Sequence, residues 1–297
     1  TKTTFDDDII SLAIDSILII NHLNSDMDYS CLSSVKVKGK EIAYIIFTSG
    51  STGTPKAVQV RHKNFIDCIH SLTYINSFNK HDTVVQMTRC SFDIHVQEIL
   101  GTLLVGGTMI MLHPGGTIDF DYLSEVLQNK QITYLSTVPS LWHSFFIFIE
   151  QNEKVNAMKY LRSLCSGGGP FSVLVIDLIV RMDITNCIVW NLYGPAETTI
   201  TCTGHRVSVT NNIQCIAIGR PLSNYRCMIM NEYLQSSVIN QEAELFVGGV
   251  GVFAGYLGRD DLSAKALLEI DGQLFYRTGD LVTTDKNGLL HYQGRKD

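Results

Sequence analysis

The feature that most constrains this chain is an apolar run that ends in a loop of small polar residues. Residues 42–47 are apolar and predict a buried β-strand. The loop after it reads Thr48-Ser49-Gly50-Ser51-Thr52-Gly53-Thr54-Pro55-Lys56. Glycines let backbone N–H groups approach an anion closely, and the hydroxyls and the lysine add donors and a positive charge. A flexible Ser/Gly turn would have a similar composition, but the strand before it and the lysine after it favour a polyphosphate-binding loop.

Length and charge exclude several classes of function. A chain of 297 residues that is 45% hydrophobic can bury a large core, which we expect in two lobes. The net charge of −6 and the lack of a basic block argue against nucleic acid as a partner. The longest early apolar run, residues 9–20, contains Asp15 and is too short for a membrane span, so we expect a helix packed on the core and no membrane association.

The cysteines and the first residue bear on the cellular context. The eight cysteines form no CxxC pair, which favours buried free thiols in a reducing compartment and a cytoplasmic location. The chain starts at Thr1, so we expect it to be a piece of a longer protein, and it carries no readable targeting signal.

Strand and helix patterns alternate over the first two thirds of the chain. Strands are predicted at 83–87, 108–112, 132–136, 161–166 and 187–192, with helices at 63–78, 121–129 and 172–181. This alternation predicts an α/β fold with a largely parallel sheet and flanking helices, over residues 1–205. Short strands at 225–230, 244–247 and 289–292 then predict a β-rich subdomain over residues 206–293.

Three predicted turns follow strand ends and carry polar or glycine residues. They lie at 48–56, 167–170 and 193–199. Because the carboxyl ends of parallel strands meet at one edge of a sheet, we expect these turns to share a site. A bound polyphosphate needs a divalent cation, for which Glu197 is a suitable hard oxygen ligand. Asp280, predicted on a turn, is suited to bind a pair of ribose hydroxyls.

Three other patterns have simpler interpretations. The segment 249–254 fits GxGxxA, but Gly255 and Gly258 oppose the helix that a dinucleotide site requires. His95 stands near the predicted site, yet a single histidine is more often packed or solvated than functional. Asp93 opens a predicted helix, where it would ordinarily serve as an N-cap.

Six motifs, taken together and in order, resemble the adenylation domain of nonribosomal peptide synthetases, within the adenylate-forming superfamily. They are IAYIIFTSGSTGTPK (42–56), SFDIHVQEI (91–99), NLYGPAETT (191–199), ELFVGGVGVFAGYLG (244–258), YRTGDL (276–281) and YQGRKD (292–297). The resemblance implies activation of an amino acid by ATP as an aminoacyl-adenylate, with release of pyrophosphate. The activated acid would then be loaded onto the thiol of a peptidyl carrier domain, expected in the same parent chain.

The resemblance also implies roles for particular residues toward ATP and Mg²⁺. Lys56, Glu197 and Thr198 would be catalytic: Lys56 near the departing pyrophosphate, Glu197 on Mg²⁺ and Thr198 at the α-phosphate. The nucleotide would be held by Thr48, Ser49, Gly50, Ser51, Thr52, Gly53, Lys56, Gly167, Gly168, Gly169, Asn191, Tyr193, Gly194, Thr198, Asp280, Tyr292 and Arg295. In this assignment Tyr193 stacks on adenine, although packing in the core is its simpler role.

The substrate pocket follows from the same resemblance. Asp93 would pair with the α-ammonium group of the amino acid, which we favour over the helix cap. The other pocket positions would be Ile94, Gln97, Ser136, Leu164, Ser166, Leu192, Ile200 and Thr201. The later positions resemble pockets for serine or cysteine, whereas Gln97 and Ser136 do not, so the expectation is a small or polar L-α-amino acid.

The chain departs from the family pattern in three places. Ala57 replaces a usual glycine, and Gly169 replaces a usual glutamate, which would loosen that turn. By the same resemblance, residues 294–297 would be the hinge to a C-terminal domain whose lysine touches the substrate. We expect this domain and the front of the large domain to be missing from these residues. We therefore expect weak or no catalysis from these 297 residues alone.

Two alternative functions stay open: an acyl-CoA synthetase-like ligase, which Asp93 argues against, and a non-catalytic remnant that only binds nucleotide.

Overall fold

The computed structural model describes residues 36–49, 53–184, 187–210 and 215–296. The chain divides into two compact units, Thr1–Lys38 and Gly39–Asp297, and almost all described residues belong to the second. The helix expected over residues 9–20 lies outside the described residues. Within the described ranges, no helix is both long enough and apolar enough to cross a bilayer.

The described residues form six α-helical segments. Segment α2 is continuous but changes its winding, since Ile94–Val96 is followed by a π-helical turn, Gln97–Gly101, and then by Thr102–Val105. The other helices are α1 His62–Tyr74, α3 Phe120–Asn129, α4 Pro139–Gln151, α5 Val173–Arg181 and α6 Asp260–Ala266. Helix α4 has no counterpart among the predicted helices, because its apolar residues lack a clear helical period.

The described residues contain fifteen strands. The first nine are β1 Ile42–Thr48, β2 Lys56–Arg61, β3 Thr83–Val85, β4 Thr108–Ile110, β5 Tyr134–Thr137, β6 Ser163–Ser166, β7 Ile188–Tyr193, β8 Thr203–Val207 and β9 Arg220–Pro221. The remaining six are β10 Tyr225–Met230, β11 Ala243–Gly249, β12 Gly255–Tyr256, β13 Leu267–Ile270, β14 Gln273–Thr284 and β15 Leu290–Arg295.

The largest sheet has seven strands in the order β4-β3-β5-β6-β7-β8-β9. Strands β4, β3, β5, β6 and β7 are parallel neighbours, and β8 and β9 are added antiparallel. The helical segments α2, α3, α4 and α5 connect the successive strands from β3 to β7 along the chain. Such crossover connections are needed because parallel strands cannot be joined by a tight turn. The predicted α/β class with a largely parallel sheet is confirmed.

Strand β1 is not part of this sheet, which corrects one expectation. It pairs antiparallel with β2, and β2 pairs with β12 to form a three-stranded sheet. The predicted burial of β1 is also wrong, because Ile46 is buried but Phe47 is 66% exposed. A strand in an antiparallel sheet buries one face only, so alternate side chains of the apolar run point outward.

The predicted β-rich part is a five-stranded antiparallel sheet in the order β10-β11-β14-β13, with β15 paired to β14. This sheet begins at Tyr225, whereas the seven-stranded sheet continues to Pro221. The division of the chain at residue 205 stays a prediction, as does the hinge at 294–297.

Adjacent residues of β6 show how both faces of the large sheet are covered. Leu164 belongs to an apolar cluster with residues of α3, α4 and α5. Cys165 belongs to a second cluster that contains Phe65 of α1 and also Leu245 of β11. Because successive side chains of a strand point to opposite faces, the helices form two layers around the sheet. The second cluster also joins the two large sheets in one apolar core.

The cysteines only partly follow the expectation of burial. The seven cysteines of the described residues are all free thiols, and Cys68, Cys165, Cys187 and Cys202 are buried. Cys90 and Cys215 are exposed, so burial does not hold for every thiol.

Candidate active site

A cavity of about 630 Å³ lies at the carboxyl ends of the parallel strands. It is bordered by Ser136 of β5, by Gly167 and Gly168 after β6, and by Leu192 and Gly194 of β7 and its following turn. The predicted gathering of the turns at 167–170 and 193–199 is therefore confirmed. Thr48 borders the same cavity, although it reaches it from the three-stranded sheet.

Glycine is required at two positions of this wall by close backbone contacts. A Cβ atom on Gly167 would lie 2.8 Å from the Leu192 carbonyl oxygen, and one on Gly194 would lie 2.5 Å from the Ile200 carbonyl oxygen. Gly169 is different, because its nearest neighbour would be Pro139 Cδ at 3.7 Å, an ordinary contact. A side chain would thus fit at Gly169, which does not itself border the cavity.

Asp93 borders the cavity at the start of α2. Its backbone is already helical, with φ −67° and ψ −22°, and its side chain makes no capping hydrogen bond. The N-cap interpretation is therefore wrong. Its Oδ2 atom is buried and has no hydrogen-bond partner among the described residues. Burial and the nearby negative charge of Glu197 raise the pKa of the Asp93 carboxyl to about 6.

Six of the nine residues predicted for the substrate pocket border this cavity: Asp93, Ile94, Ser136, Leu192, Ile200 and Thr201. The other three lie behind its wall. Gln97 is buried and donates from Nε2 to the Tyr134 hydroxyl at 2.8 Å. Leu164 and Ser166 are fully buried on β6.

Two unpaired polar atoms lie in this buried layer. Gln97 Oε1 and Ser166 Oγ have no hydrogen-bond partner among the described residues. Buried polar atoms are normally paired with protein groups or with water, so these two atoms are exceptions among the described residues.

A second group of predicted residues surrounds Asp280. This carboxylate is 6% exposed and accepts hydrogen bonds from the Tyr193 hydroxyl at 2.5 Å and from Arg295 Nη1 at 3.2 Å. Asp280 lies within β14, paired with Arg295 of β15, so its predicted position on a turn is wrong. The preceding Gly279 has a φ of +72°, which places a local irregularity inside the strand. Burial and the charge of Asp280 raise the pKa of the Tyr193 hydroxyl.

Two further residues predicted to contact nucleotide have structural partners. Asn191 is buried and donates from Nδ2 to the Ala217 carbonyl oxygen at 2.8 Å. Tyr292 is half-buried and packs against the core cluster that joins the two large sheets. Burial raises the pKa of the Tyr292 hydroxyl.

Glu197 and Lys56 are linked through Tyr256, which sequence reasoning missed. The Tyr256 hydroxyl donates to Glu197 Oε1 at 2.7 Å, and Lys56 Nζ lies 5.3 Å from the centre of the same ring. Tyr256 belongs to β12 and pairs with Val58 of β2, two residues after the lysine. In the sequence, only the position of Tyr256 in the motif 244–258 pointed to a functional role. Its pairing with Val58 joins residues about two hundred positions apart, which local patterns do not show.

The turn that carries Glu197 has an unusual backbone. Thr199 and Ile200 have φ values of 61° and 65°, in the left-handed region that β-branched residues rarely occupy. Hydrogen bonds hold this conformation, since Thr199 Oγ1 donates to the Gly251 carbonyl oxygen at 2.7 Å and Thr198 Oγ1 to the Pro195 carbonyl oxygen at 2.8 Å. Strained backbone of this kind concentrates at functional sites.

Glu98 is a second residue that sequence reasoning missed. It is buried in the π-helical turn of α2 and accepts hydrogen bonds from the backbone N–H groups of Met87 and Thr88, at 3.2 and 3.0 Å. Both of these residues border the cavity, so Glu98 fixes part of its wall from behind. Burial raises the pKa of the Glu98 carboxyl to about 7. The sequence signal that could have identified Glu98 is a charged residue on an apolar helix face.

The predicted phosphate loop joins β1 to β2, with Thr48 and Lys56 paired across the hairpin. Gly50, Ser51 and Thr52 lie outside the described residues, and Ser49 does not border the cavity. Thr48 Oγ1 is buried without a partner among the described residues, and Gly53 has a φ of +80°. The ends of the loop thus present a free hydroxyl and a lysine.

The simpler interpretations of residues 249–254 and of His95 hold. Residues 249–254 end β11 and turn into β12 without starting a helix, so a dinucleotide site is absent from this segment. His95 does not border the cavity, and its Nδ1 atom lies 2.6 Å from the Phe92 carbonyl oxygen. Within the described ranges, no group of three or more His, Cys, Asp or Glu side chains could hold a metal ion.

Comparison with known proteins identifies the family. The family model described as AMP-binding enzyme matches residues 9–257, and the chain belongs to this family. Bacitracin synthase 2 of Bacillus licheniformis is 30% identical over 262 residues, which is 88% of this chain and 10% of that protein. The chain thus spans a small part of this curated relative.

Solved structures agree with this assignment. The adenylation domain AlmE of Vibrio cholerae, in complex with glycyl-adenosine-5'-phosphate, matches with a TM-score of 0.77 and 28% identity over 92% of this chain and 51% of that one. NpsA-ThdA, an artificially fused adenylation-PCP di-domain NRPS from Klebsiella oxytoca, matches with a TM-score of 0.75 and 25% identity over 87% of this chain and 51% of that one.

Proposed function

We propose that this chain is the nucleotide- and amino-acid-binding part of an adenylation domain of a nonribosomal peptide synthetase. The parent protein would activate an amino acid with ATP, forming an aminoacyl-adenylate and releasing pyrophosphate. The observation that carries this proposal is the buried Asp93 Oδ2, which has no partner among the described residues and belongs to a carboxylate bordering the cavity. Burying a carboxylate oxygen without a hydrogen-bond partner costs free energy. The α-ammonium group of an amino acid would remove this cost by pairing with the oxygen.

The chemistry requires little beyond positioning and charge compensation. The amino-acid carboxylate attacks the α-phosphorus of ATP, a bond to that phosphorus forms, and the bond to the pyrophosphate oxygen breaks. Lys56 and the loop before it would hold the departing pyrophosphate, and Thr198 would contact the α-phosphate. Asp280 would bind the ribose hydroxyls, supported by the hydrogen bond from Tyr193. Ordering the two reactants against each other supplies much of the rate.

Mg²⁺ fits the residues that are present. The ion takes one or two protein carboxylates and completes its shell with water and substrate phosphates. Glu197 offers such a carboxylate, 6% exposed and oriented by Tyr256. When bound, the ion would neutralise charge on the phosphates.

The amino acid is proposed to be small or polar. Ser136 and Thr201 provide hydroxyls at the cavity, and Ile94, Leu192 and Ile200 provide apolar surface. The proposed partner is a peptidyl carrier domain that accepts the activated acid on its thiol, which the fused adenylation-PCP protein supports. The proposed location is cytoplasmic.

A matched pair of ligands tests this function. Glycyl- and propionyl-sulfamoyl-adenosine differ mainly in that an ammonium group replaces a methyl group, and calorimetry with the 297-residue chain compares their affinities. We expect the glycyl compound to bind at least ten-fold more tightly, and Asp93→Asn to remove most of that preference. Equal binding of the two compounds by the unaltered chain would favour the acyl-CoA synthetase-like alternative. Binding of MgATP without binding of either sulfamoyl-adenosine compound would favour the non-catalytic remnant that only binds nucleotide.

A further inference from the structure

A second cavity, of about 550 Å³, lies outside the site described above. Its lining includes two arginines, Arg61 at the start of α1 and Arg226 on β10. Its apolar lining includes Val252, Phe253 and Leu274. The cavity therefore combines positive charge with an apolar surface in one concave space.

The two guanidinium groups lack compensating charge. In the part of the chain that the structure describes, neither Arg61 nor Arg226 has a carboxylate within ion-pair distance. Arg226 Nη1 donates to Gln273 Oε1 at 2.5 Å, and Gln273 also lines the cavity. This bond uses one of the five donors of the guanidinium group and restrains its orientation. Unpaired guanidinium groups around a concave surface favour an oxyanion, which they can bind in a bidentate manner.

The turn that carries Glu197 separates this cavity from the first one. Ala196 and Ile200 border the first cavity. From the other side, the Phe253 N–H group donates to the Glu197 carbonyl oxygen at 2.9 Å, and the Tyr225 hydroxyl donates to the Thr198 carbonyl oxygen at 3.1 Å. Phe253 and Tyr225 both line the second cavity, which is thus a distinct space behind the turn.

The rim of the second cavity is held by close backbone packing. Gly249 has a φ of +99°, and a Cβ atom on it would lie 2.2 Å from the Asn224 carbonyl oxygen. Nearby, Asn64 Nδ2 donates to the Val250 carbonyl oxygen at 2.6 Å and ties the start of α1 to the end of β11. Arg61 and Arg226 are therefore presented from backbone segments that hydrogen bonds and tight contacts fix in place.

We propose that this second cavity binds a small ligand that carries a carboxylate or phosphate group beside an apolar moiety. Arg61 and Arg226 bind the oxyanion, and Val252, Phe253 and Leu274 contact the apolar part. The volume falls within the range of about 300–1,000 Å³ that is usual for small-molecule sites. This assignment does not depend on the proposed adenylation activity, because none of the residues assigned to ATP or amino acid lines this cavity.

Three probes of similar size test the proposal: phenyl phosphate, benzoate and the uncharged benzyl alcohol. Each is titrated into the 297-residue chain and followed by amide NMR, which also locates the binding site. We expect at least one of the two anions to shift the signals of Arg226 and Gly249, and benzyl alcohol to bind at least ten-fold more weakly. Which anion binds more tightly distinguishes a phosphate from a carboxylate ligand.

Charge-removing variants then assign the binding to the arginines. Arg61→Gln and Arg226→Gln should each weaken anion binding at least ten-fold. The matched control is Arg181→Gln, which removes an exposed arginine that pairs with Glu150 and should leave binding unchanged. Unchanged affinity in both test variants, binding of benzyl alcohol equal to that of the anions, or no binding of either anion would overturn the proposal. If Arg61→Gln does not fold, the anion affinity of Arg226→Gln alone tests the proposal, because Arg226 is exposed.

Discussion

Tyr256 donates a 2.7 Å hydrogen bond to Glu197 while its ring lies 5.3 Å from Lys56 Nζ. One tyrosine therefore contacts both the proposed cation ligand and the proposed phosphate-binding lysine. Its side chain is 2% exposed, so the contact is screened little by solvent.

Tyr256→Phe should lower the free energy of unfolding by about 1–3 kcal/mol, because a buried carboxylate oxygen of Glu197 loses a donor. The ring is retained, so the contact with Lys56 should persist. Urea denaturation measures the effect, with Tyr233→Phe as the control, since Tyr233 is 74% exposed. A variant as stable as the unaltered protein would show that this hydrogen bond contributes no net stability.

Lys56→Ala should weaken MgATP binding about ten-fold or more, since the loop loses its only lysine; ten-fold corresponds to about 1.4 kcal/mol. Isothermal titration calorimetry measures the affinity. Lys80→Ala removes the same charge from an exposed site and should bind MgATP normally. If Lys56→Ala binds as tightly as the unaltered chain, the assignment of the phosphate loop is wrong.

Binding of glycyl-sulfamoyl-adenosine should weaken as the pH falls from 7.5 through about 6. Burial and the charge of Glu197 raise the pKa of Asp93 to about 6, and a protonated carboxyl no longer attracts an ammonium group. Calorimetry across this pH range tests the effect. Asp93→Asn should bind weakly with a flatter pH profile, and the propionyl compound should show little pH dependence at this site. An equally steep profile for Asp93→Asn would assign the titration to another group.

Glu98→Gln should change how stability depends on pH. Burial raises the pKa of Glu98 from its ordinary value of 4.5 to about 7, so between these values the folded state binds more protons than the unfolded state. The free energy of unfolding therefore falls as the pH rises from 4.5 to 7, by an amount on the order of 3 kcal/mol. The amide cannot ionise, so Glu98→Gln should lack this fall and be more stable than the unaltered protein at pH 8.

Denaturation at pH 5 and pH 8 measures the difference for Glu98→Gln. Glu125→Gln, at an exposed site of α3, controls for the loss of one charge. If the variant and the unaltered protein lose stability in parallel between these pH values, Glu98 does not titrate as described.

A pair of glycine substitutions tests the wall of the cavity. Gly194→Ala should destabilise the protein by about 2–4 kcal/mol, because its Cβ atom would meet the Ile200 carbonyl oxygen at 2.5 Å. Gly169→Ala should change stability by less than about 0.5 kcal/mol, because its nearest neighbour is at 3.7 Å. Thermal unfolding compares the two variants. Equal effects would contradict the described geometry of the two turns.

Local pattern was sufficient to predict the parallel sheet and the cavity edge. Strands β5, β6 and β7 are short apolar runs followed by glycine or polar turns, and helices α3 and α5 have a clear apolar period. The hydroxyl- and glycine-rich turns then fall at the strand ends, which is where the cavity lies.

The features that the local sequence pattern did not predict depend on contacts between residues far apart in the chain. Strand β1 was taken for a strand of the main sheet because its partner β2, which follows the seven-residue loop 49–55, was not predicted as a strand. Asp280 was placed on a turn because Gly279 precedes it, and glycine is typical of turns. Pairing with β11 and β15 nevertheless keeps β14 extended. The links from Tyr256 to Glu197 and from Glu98 to Met87 are tertiary contacts that no local period indicates.

The pairing of β12 with β2 also has a consequence for synthesis on the ribosome. The hairpin of β1 and β2 is complete once residue 61 has been made, but the other edge of β2 is covered only when Gly255 and Tyr256 arrive. During the intervening synthesis, at about 5–20 residues per second, β2 presents unpaired backbone groups beside the loop. The proposed phosphate-binding hairpin is thus made roughly two hundred residues before the strand that completes its sheet.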